Sequence, residues 1–177
     1  MPVNKRPRKI AIIGCAGSGK TTLAFKLQEK TGLPLYHLDQ YYWLPNWGRV
    51  GPEKFELAHN ALCDKDSWII EGSYVRFFAY RAAKADLIIF MDVPRYLCMW
   101  YVLERSFVHW REVIPGNPAG CEQRILSPKF FGFLKWVFTF NKRYRGMILD
   151  ILEDAKRTKP VYVFTSLKNI DSFIEGI

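Results

Sequence analysis

Apolar residues recur along this chain in two alternating patterns. Short runs, mostly apolar and all but the second rich in β-branched residues, occur at 10–13 (ended by Gly14), 35–38, 68–70 (stopped by Gly72), 87–91 and 161–164. Strands that are apolar along their whole length belong to a parallel sheet covered on both faces, because each face packs against helices. Between these runs the apolar residues take helical spacing. The pattern predicts a helix over 21–30 closed by Gly32, and another over 52–64 with Pro52 in its first turn. The longest stretch separates the fourth and fifth strands. A helix is expected there over about 95–111, then a Pro- and Gly-rich break at 114–120, then a long helix over about 131–156. Leu134, Val137, Tyr144, Ile148 and Ile151 stay in step along that long helix. A short closing helix is expected over 171–177. No repeat or low-complexity tract interrupts the alternation. One α/β domain with a helical excursion follows.

Composition narrows the class. At 177 residues, one domain is the default, and 49% hydrophobic with 24% charged residues excludes a disordered chain. The formal net charge is +9, from 26 Lys and Arg against 17 Asp and Glu. Two segments hold that excess. Residues 1–9 carry Lys5, Arg6, Arg8 and Lys9 with no acid, and residues 95–145 carry nine cations against Glu104, Glu112 and Glu122. The chain therefore divides into a basic tail, 1–9, and one domain, 10–177, whose insertion at about 95–145 is basic. Such a balance invites an anionic partner: nucleic acid, acidic lipid or a phosphorylated small molecule. Cys15, Cys63, Cys98 and Cys121 show no metal or C-x-x-C spacing, so buried, reduced thiols are expected. The amino-terminal residues lack an apolar leader, and the greasiest run, 130–140, is too short to span a bilayer and contains Lys135. A cytoplasmic protein with no membrane partner is expected, its oligomeric state left open.

The segment Gly14-Cys15-Ala16-Gly17-Ser18-Gly19-Lys20-Thr21 fits G-x-x-x-x-G-K-[ST], with an apolar strand before it and a helix after it. The glycines let successive backbone N–H groups point inward at phosphate oxygens, at the positive end of the helix. Lys20 would reach the β- and γ-phosphates, the Thr21 hydroxyl would ligate Mg²⁺, and Thr22 completes the loop's contact with ATP. The rival reading is a chance Gly-rich turn. A G-protein is excluded, because Asn141-Lys142 is followed by Arg143-Tyr144 with no base-reading Asp.

Two further segments resemble nucleoside monophosphate kinases. Glu71-Gly72-Ser73-Tyr74-Val75-Arg76 is similar to their strand-D-G-F-P-R segment, and Asp92-Val93-Pro94 to the entry of their lid helix. Together with His37-Leu38-Asp39-Gln40-Tyr41-Tyr42-Trp43, Arg95-Tyr96-Leu97-Cys98 and Phe140-Asn141-Lys142-Arg143-Tyr144-Arg145, they resemble the bacterial DNA topology modulation protein family, adenylate-kinase-related P-loop proteins. That resemblance implies a three-layer P-loop fold: a five-stranded parallel sheet in the order 2-3-1-4-5 with a helical lid over about 95–145. It does not name the acceptor. The Gln that reads adenine in adenylate kinases has no counterpart in Phe77-Phe78-Ala79-Tyr80, and no acceptor-side Arg follows Asp39.

Roles follow residue by residue. Glu71, at a strand end, would hold the Mg²⁺ water shell beside Thr21, or simply face solvent. Asp39 sits at the sheet's carboxyl edge, where ligands bind in open α/β folds; it would orient or deprotonate the acceptor, or merely cap a turn. The resemblance makes Arg76 the acceptor-phosphate arginine, since a guanidinium offers phosphate a planar fork of donors. It gives Arg105, Arg143 and Arg145 to the transferring phosphoryl group, with one of the last pair reaching it, because they point to different sides of a helix. Arg105 also continues a partly apolar stripe; for the others a solvated basic surface is the alternative. Tyr42 and Trp43 would stack on a flat acceptor, or pack on their own domain. Arg81 is expected at the surface, His37, His59 and His109 in structural roles without partners, and Asp92 as the cap of the lid helix. The resulting expectation is a small-molecule kinase using ATP and Mg²⁺ on a nucleoside- or nucleotide-like acceptor. The alternative is a DNA-associated ATP-binding protein that grips nucleic acid through the basic tail and lid.

Overall fold

A computed structural model describes residues 6–168 and 170–177; residues 1–5, the outer part of the basic tail, lie outside the described residues. In chain order the elements are β1 (Lys9–Gly14), α1 (Lys20–Thr31), β2 (Leu35–His37), α2 (Asp39–Tyr42), β3 (Trp43–Leu44), β4 (Gly48–Arg49), α3 (Pro52–Cys63) and β5 (Trp68–Glu71). They continue with α4 (Phe78–Lys84), β6 (Leu87–Met91), α5 (Arg95–Val108), α6 (Pro128–Ala155), β7 (Val161–Phe164) and α7 (Ile170–Glu175).

Five strands form one parallel sheet in the order β2-β5-β1-β6-β7. Numbered among themselves, that is the expected 2-3-1-4-5. The core lies on the three central strands. Ile10 to Ile13 of β1, all of β5 and all of β6 are buried, with Leu23, Ala24 and Leu27 of α1 on one face. Val137, Phe140, Ile148 and Leu152 of α6 complete the same core. Each fully buried Ile or Leu there stabilises the fold by roughly 1.5–3 kcal/mol. The parallel pairing brings the carboxyl ends of β1, β2 and β5 to one edge, where Gly14, His37 and Glu71 stand.

Differences from the sequence reading have local causes. β7 is an edge strand, and Tyr162 and Val163 are exposed although the run is wholly apolar. Phe173 of α7 packs on its Tyr162 and Phe164 rings. The lid helix α5 stops at Val108 and not near 111, because Arg111 takes a left-handed φ of 66° and its N–H turns back to the Gln123 carbonyl. α6 begins at Pro128, capped by the Ser127 hydroxyl, which accepts the Phe130 N–H. Between β2 and α3 the chain forms α2 and a small β3–β4 hairpin, for which the apolar pattern gives no signal. Asp92 does not cap α5, whose amino end has no side-chain cap. Its buried carboxylate instead accepts both bonds from Arg145 Nε, at 2.9 and 3.1 Å. All four cysteines are free and buried, as expected. Among the described residues, no helix is long and apolar enough to cross a membrane.

Candidate active site

The loop from Gly14 to Thr21 wraps from β1 into α1. Gly17 and Gly19 hold positive φ values of 77° and 86°, which only glycine adopts without strain. The backbone there is crowded from both sides: a Cβ on Gly17 would collide with the Cys98 carbonyl of α5, and one on Gly19 would lie 2.7 Å from Leu167. Lys20 is buried, and its Nζ donates to the Cys15 carbonyl at 2.8 Å, curled back over the loop. The Ser18 hydroxyl is fully buried and finds no partner in the protein. A buried donor without a partner is costly unless a ligand supplies one. The Cys15 thiol donates to the Val137 carbonyl at 3.7 Å, and the neighbouring Cys98 thiol and burial hold it well above the ordinary thiol range, so it packs and does not react.

Beside the loop lies a cavity of about 290 Å³ whose lining includes Lys20, Thr21, Asp39, Glu71, Arg105 and Asn117. Glu71, at the end of β5, is buried and accepts the Thr21 hydroxyl at 3.2 Å. Its same Oε1 lies 2.8 Å from His37 Nδ1, across the β2–β5 register in which His37 pairs with Glu71. Burial works to raise the Glu71 pKa, yet the His37 bond, the Lys20 charge and the Thr21 bond outweigh it and hold the carboxyl below the usual range. His37 therefore has a partner at the site, contrary to the structural role expected for it. The lid break closes over the pair: a Cβ on Gly116 would sit 3.2 Å from His37 Nδ1 and 3.4 Å from Thr21 Cγ2.

Asp39, the first residue of α2, accepts the Tyr74 hydroxyl at 2.6 Å. Burial pushes its pKa up and the Glu71 charge adds to that, while the Tyr74 bond, Lys20 and Arg105 pull the other way; the net shift is upward. Arg105 of α5 points into the same cavity, where Asp39 and Glu71 favour its charge against burial. Its buried Nε has no hydrogen-bond partner.

The remaining residues singled out in the sequence lie elsewhere. Arg76 is exposed, with its guanidinium over the Phe77 ring at 5.7 Å. Arg143 is exposed, and Arg145 is taken by Asp92. Tyr42 packs on Phe55, Tyr74 and Trp43, and Trp43 on Trp47, so these rings serve their own domain. Of the nine cations between 95 and 145, only Arg105 faces the cavity; the other eight are exposed. Arg81, expected at the surface, is fully buried: it donates to the Gly72 carbonyl at 3.1 Å, and its Nε and Nη1 have no partner.

The geometry has counterparts among known proteins. The chain superposes on shikimate kinase from Acinetobacter baumannii in complex with shikimate at a TM-score of 0.60, with 12% identity over 97% of this chain and 90% of that one. It superposes on deoxyadenosine kinase from M. mycoides with bound dATP at 0.54, with 16% identity over 95% of each chain. The fold is that of the P-loop kinases. In sequence, the chain is 30% identical over 115 residues to the uncharacterized protein YqaC of Bacillus subtilis (strain 168). That match spans 62% of this chain and 64% of the relative, less than two thirds of its length. No protein-family model matches the chain.

Proposed function

We propose that this protein is a small-molecule kinase, transferring the γ-phosphoryl group of ATP to an acceptor held against Asp39. The observation that carries this reading is the meeting, in one cavity, of the phosphate loop with Asp39, Glu71 and Arg105. The left-handed Gly17 and Gly19, both in the cavity wall, fit a loop whose backbone N–H groups would turn inward to a polyphosphate. Thr21 and the ionised, buried Glu71 fit a Mg²⁺ ion held partly through water and phosphate oxygens; among the described residues no set of three or more His, Cys, Asp or Glu would hold a metal unaided. Bound Mg²⁺ would neutralise charge on the transferring phosphoryl group. Lys20 exchanges the Cys15 carbonyl for phosphate, His37 fixes the rotamer of Glu71, and Arg105 brings a desolvated positive charge from the lid. Membership of the DNA topology modulation protein family, a cytoplasmic location and the division into a tail, 1–9, and one domain, 10–177, belong to the same proposal.

ATP turnover across nucleosides, nucleotides, sugars and hydroxy acids tests it. At least one acceptor should raise turnover far above that of Lys20→Ala, which loses activity by about a hundredfold or more, the scale expected when a main charge stabiliser of the transition state is removed. Should no acceptor exceed the Lys20→Ala background, the reading is wrong.

A second reading rests on the eight exposed cations of residues 95–145, which suit an extended anionic partner such as nucleic acid better than a closed site. It predicts oligonucleotide binding that weakens steeply with salt.

A further inference from the structure

We infer that the phosphoryl acceptor is an uncharged alcohol, such as a nucleoside or free sugar, and neither a phosphate nor a carboxylate compound. The inference rests on the kinase reading and narrows its substrate. A phosphate or carboxylate acceptor needs cations of its own, beyond those that hold the donor. Among the described residues, Lys20 and Arg105 are the only cations lining the cavity, against the carboxylates Asp39, Glu71 and Glu104. Lys20 lies in the phosphate loop, and Arg105 stands where Asp39 and Glu71 both act on its charge. A donor polyphosphate claims both. Arg76, which would clamp an acceptor phosphate, sits exposed against Phe77 and does not line the cavity. Arg81 is committed to the Gly72 carbonyl inside the core. An anionic acceptor would therefore meet carboxylates with no free counter-charge, which a low-dielectric site penalises heavily.

Asp39 gives the second, chemical reason. An acceptor phosphate oxygen is already ionised near neutral pH and brings no proton to remove, so a carboxylate beside it only repels. An alcohol does bring one. Tyr74 occupies Asp39 Oδ1 at 2.6 Å, fixing the carboxylate and leaving Oδ2 for the acceptor hydroxyl. Burial, which raises the Asp39 pKa, suits it to take that proton. In the transfer, the acceptor oxygen forms a bond to Pγ and the bond from Pγ to the β,γ-bridging oxygen breaks. ADP leaves with that electron pair, and the hydroxyl proton passes to Asp39. Tyr101 and Asn117, also in the lining, offer uncharged groups to further hydroxyls.

Matched pairs test this: nucleosides against their 5′-monophosphates, ribose against ribose 5-phosphate, and glucose against gluconate. Turnover is followed by ADP release, and the product by ³¹P NMR, which separates a phosphomonoester from a phosphoanhydride. The uncharged member of a pair should win by at least tenfold in kcat/KM and give a monoester. Asp39→Asn should lower kcat at least a hundredfold while fluorescent-ATP binding holds within threefold. A monophosphate converted to a diphosphate, a gluconate-type acceptor used as well as its neutral partner, or full activity in Asp39→Asn overturns the inference and leaves the kinase reading standing. Turnover with no acceptor, at the Lys20→Ala level, overturns the reading beneath it.

Discussion

A guanidinium enclosed by apolar surroundings is costly to keep charged, and Arg81 is enclosed completely. Burial pulls its pKa down to about 10, against the opposing pull of Cys63, Glu71 and Tyr74, so it remains a cation at neutral pH. With Nε and Nη1 unpartnered, its one bond goes to the carbonyl of Gly72, the residue after Glu71 and part of the cavity wall. That arrangement is poor for stability and useful for holding the wall in place. Arg81→Met should therefore change Tm by less than about 4 °C, roughly 1 kcal/mol in a domain of this size, while lowering kcat about tenfold. Melting curves and turnover on the same samples separate the two effects; a large loss of Tm with kcat intact would make Arg81 a packing residue only. Nothing in a single sequence distinguishes such an arginine from the exposed Arg76 five positions earlier. His37 is different, because the strand beside it is legible. The expected strand order sets the second strand beside the third, and the observed register then places His37, for which no partner was expected, against Glu71.

At the scale of elements, the long apolar runs are legible because an uninterrupted apolar run between turn residues suits a strand covered on both faces and little else. Short elements escape. α4 buries Phe78, Arg81 and Ala82, an i, i+3, i+4 face whose middle member is a cation, so its helical stripe is broken in the sequence. The β3–β4 hairpin has two residues per strand, too few to show a period. The phosphate loop is legible from its glycines, but its tight seat against α5 is a tertiary fact. Glycines make the difference measurable. In Gly17→Ala the new methyl meets the Cys98 carbonyl and the Val102 side chain, in a left-handed conformation that itself costs alanine roughly 1–2 kcal/mol. Stability should fall by more than about 2 kcal/mol in denaturant titration, the strain and the collision together, and ATP binding should be lost. Gly132→Ala, in the exposed interior of α6 with nothing within 4 Å of the new methyl, should instead gain about 1 kcal/mol. Equal effects at the two positions would rule out the loop's close approach to α5.

At the scale of the whole molecule, the charge excess belongs mainly to the surface. The kinase resemblance sends the lid cations to a bound polyphosphate, yet Arg105 alone among them lines the cavity. Lys135 and Lys142 of α6 are exposed and stand clear of it. Charges so placed act on the cavity only through water, where salt screens them over about 10 Å. They act strongly on a polyanion lying along α6, because each neutralised phosphate releases counterions. Catalysis and polyanion binding should therefore separate in one variant. Lys135→Glu with Lys142→Glu should leave kcat/KM for the best acceptor within about twofold. If α6 is a nucleic-acid face, the same variant should weaken oligonucleotide binding at low salt and flatten the slope of log K against log salt by about 2, near 0.9 for each phosphate no longer neutralised. Fluorescence anisotropy with a labelled oligonucleotide from about 20 to about 200 mM salt, beside turnover, reads both. Absence of binding by the unaltered chain at low salt removes the nucleic-acid reading and leaves the outward charge to solubility. A parallel fall of turnover and binding would mean that α6 closes toward the cavity, bringing its cations to the phosphates.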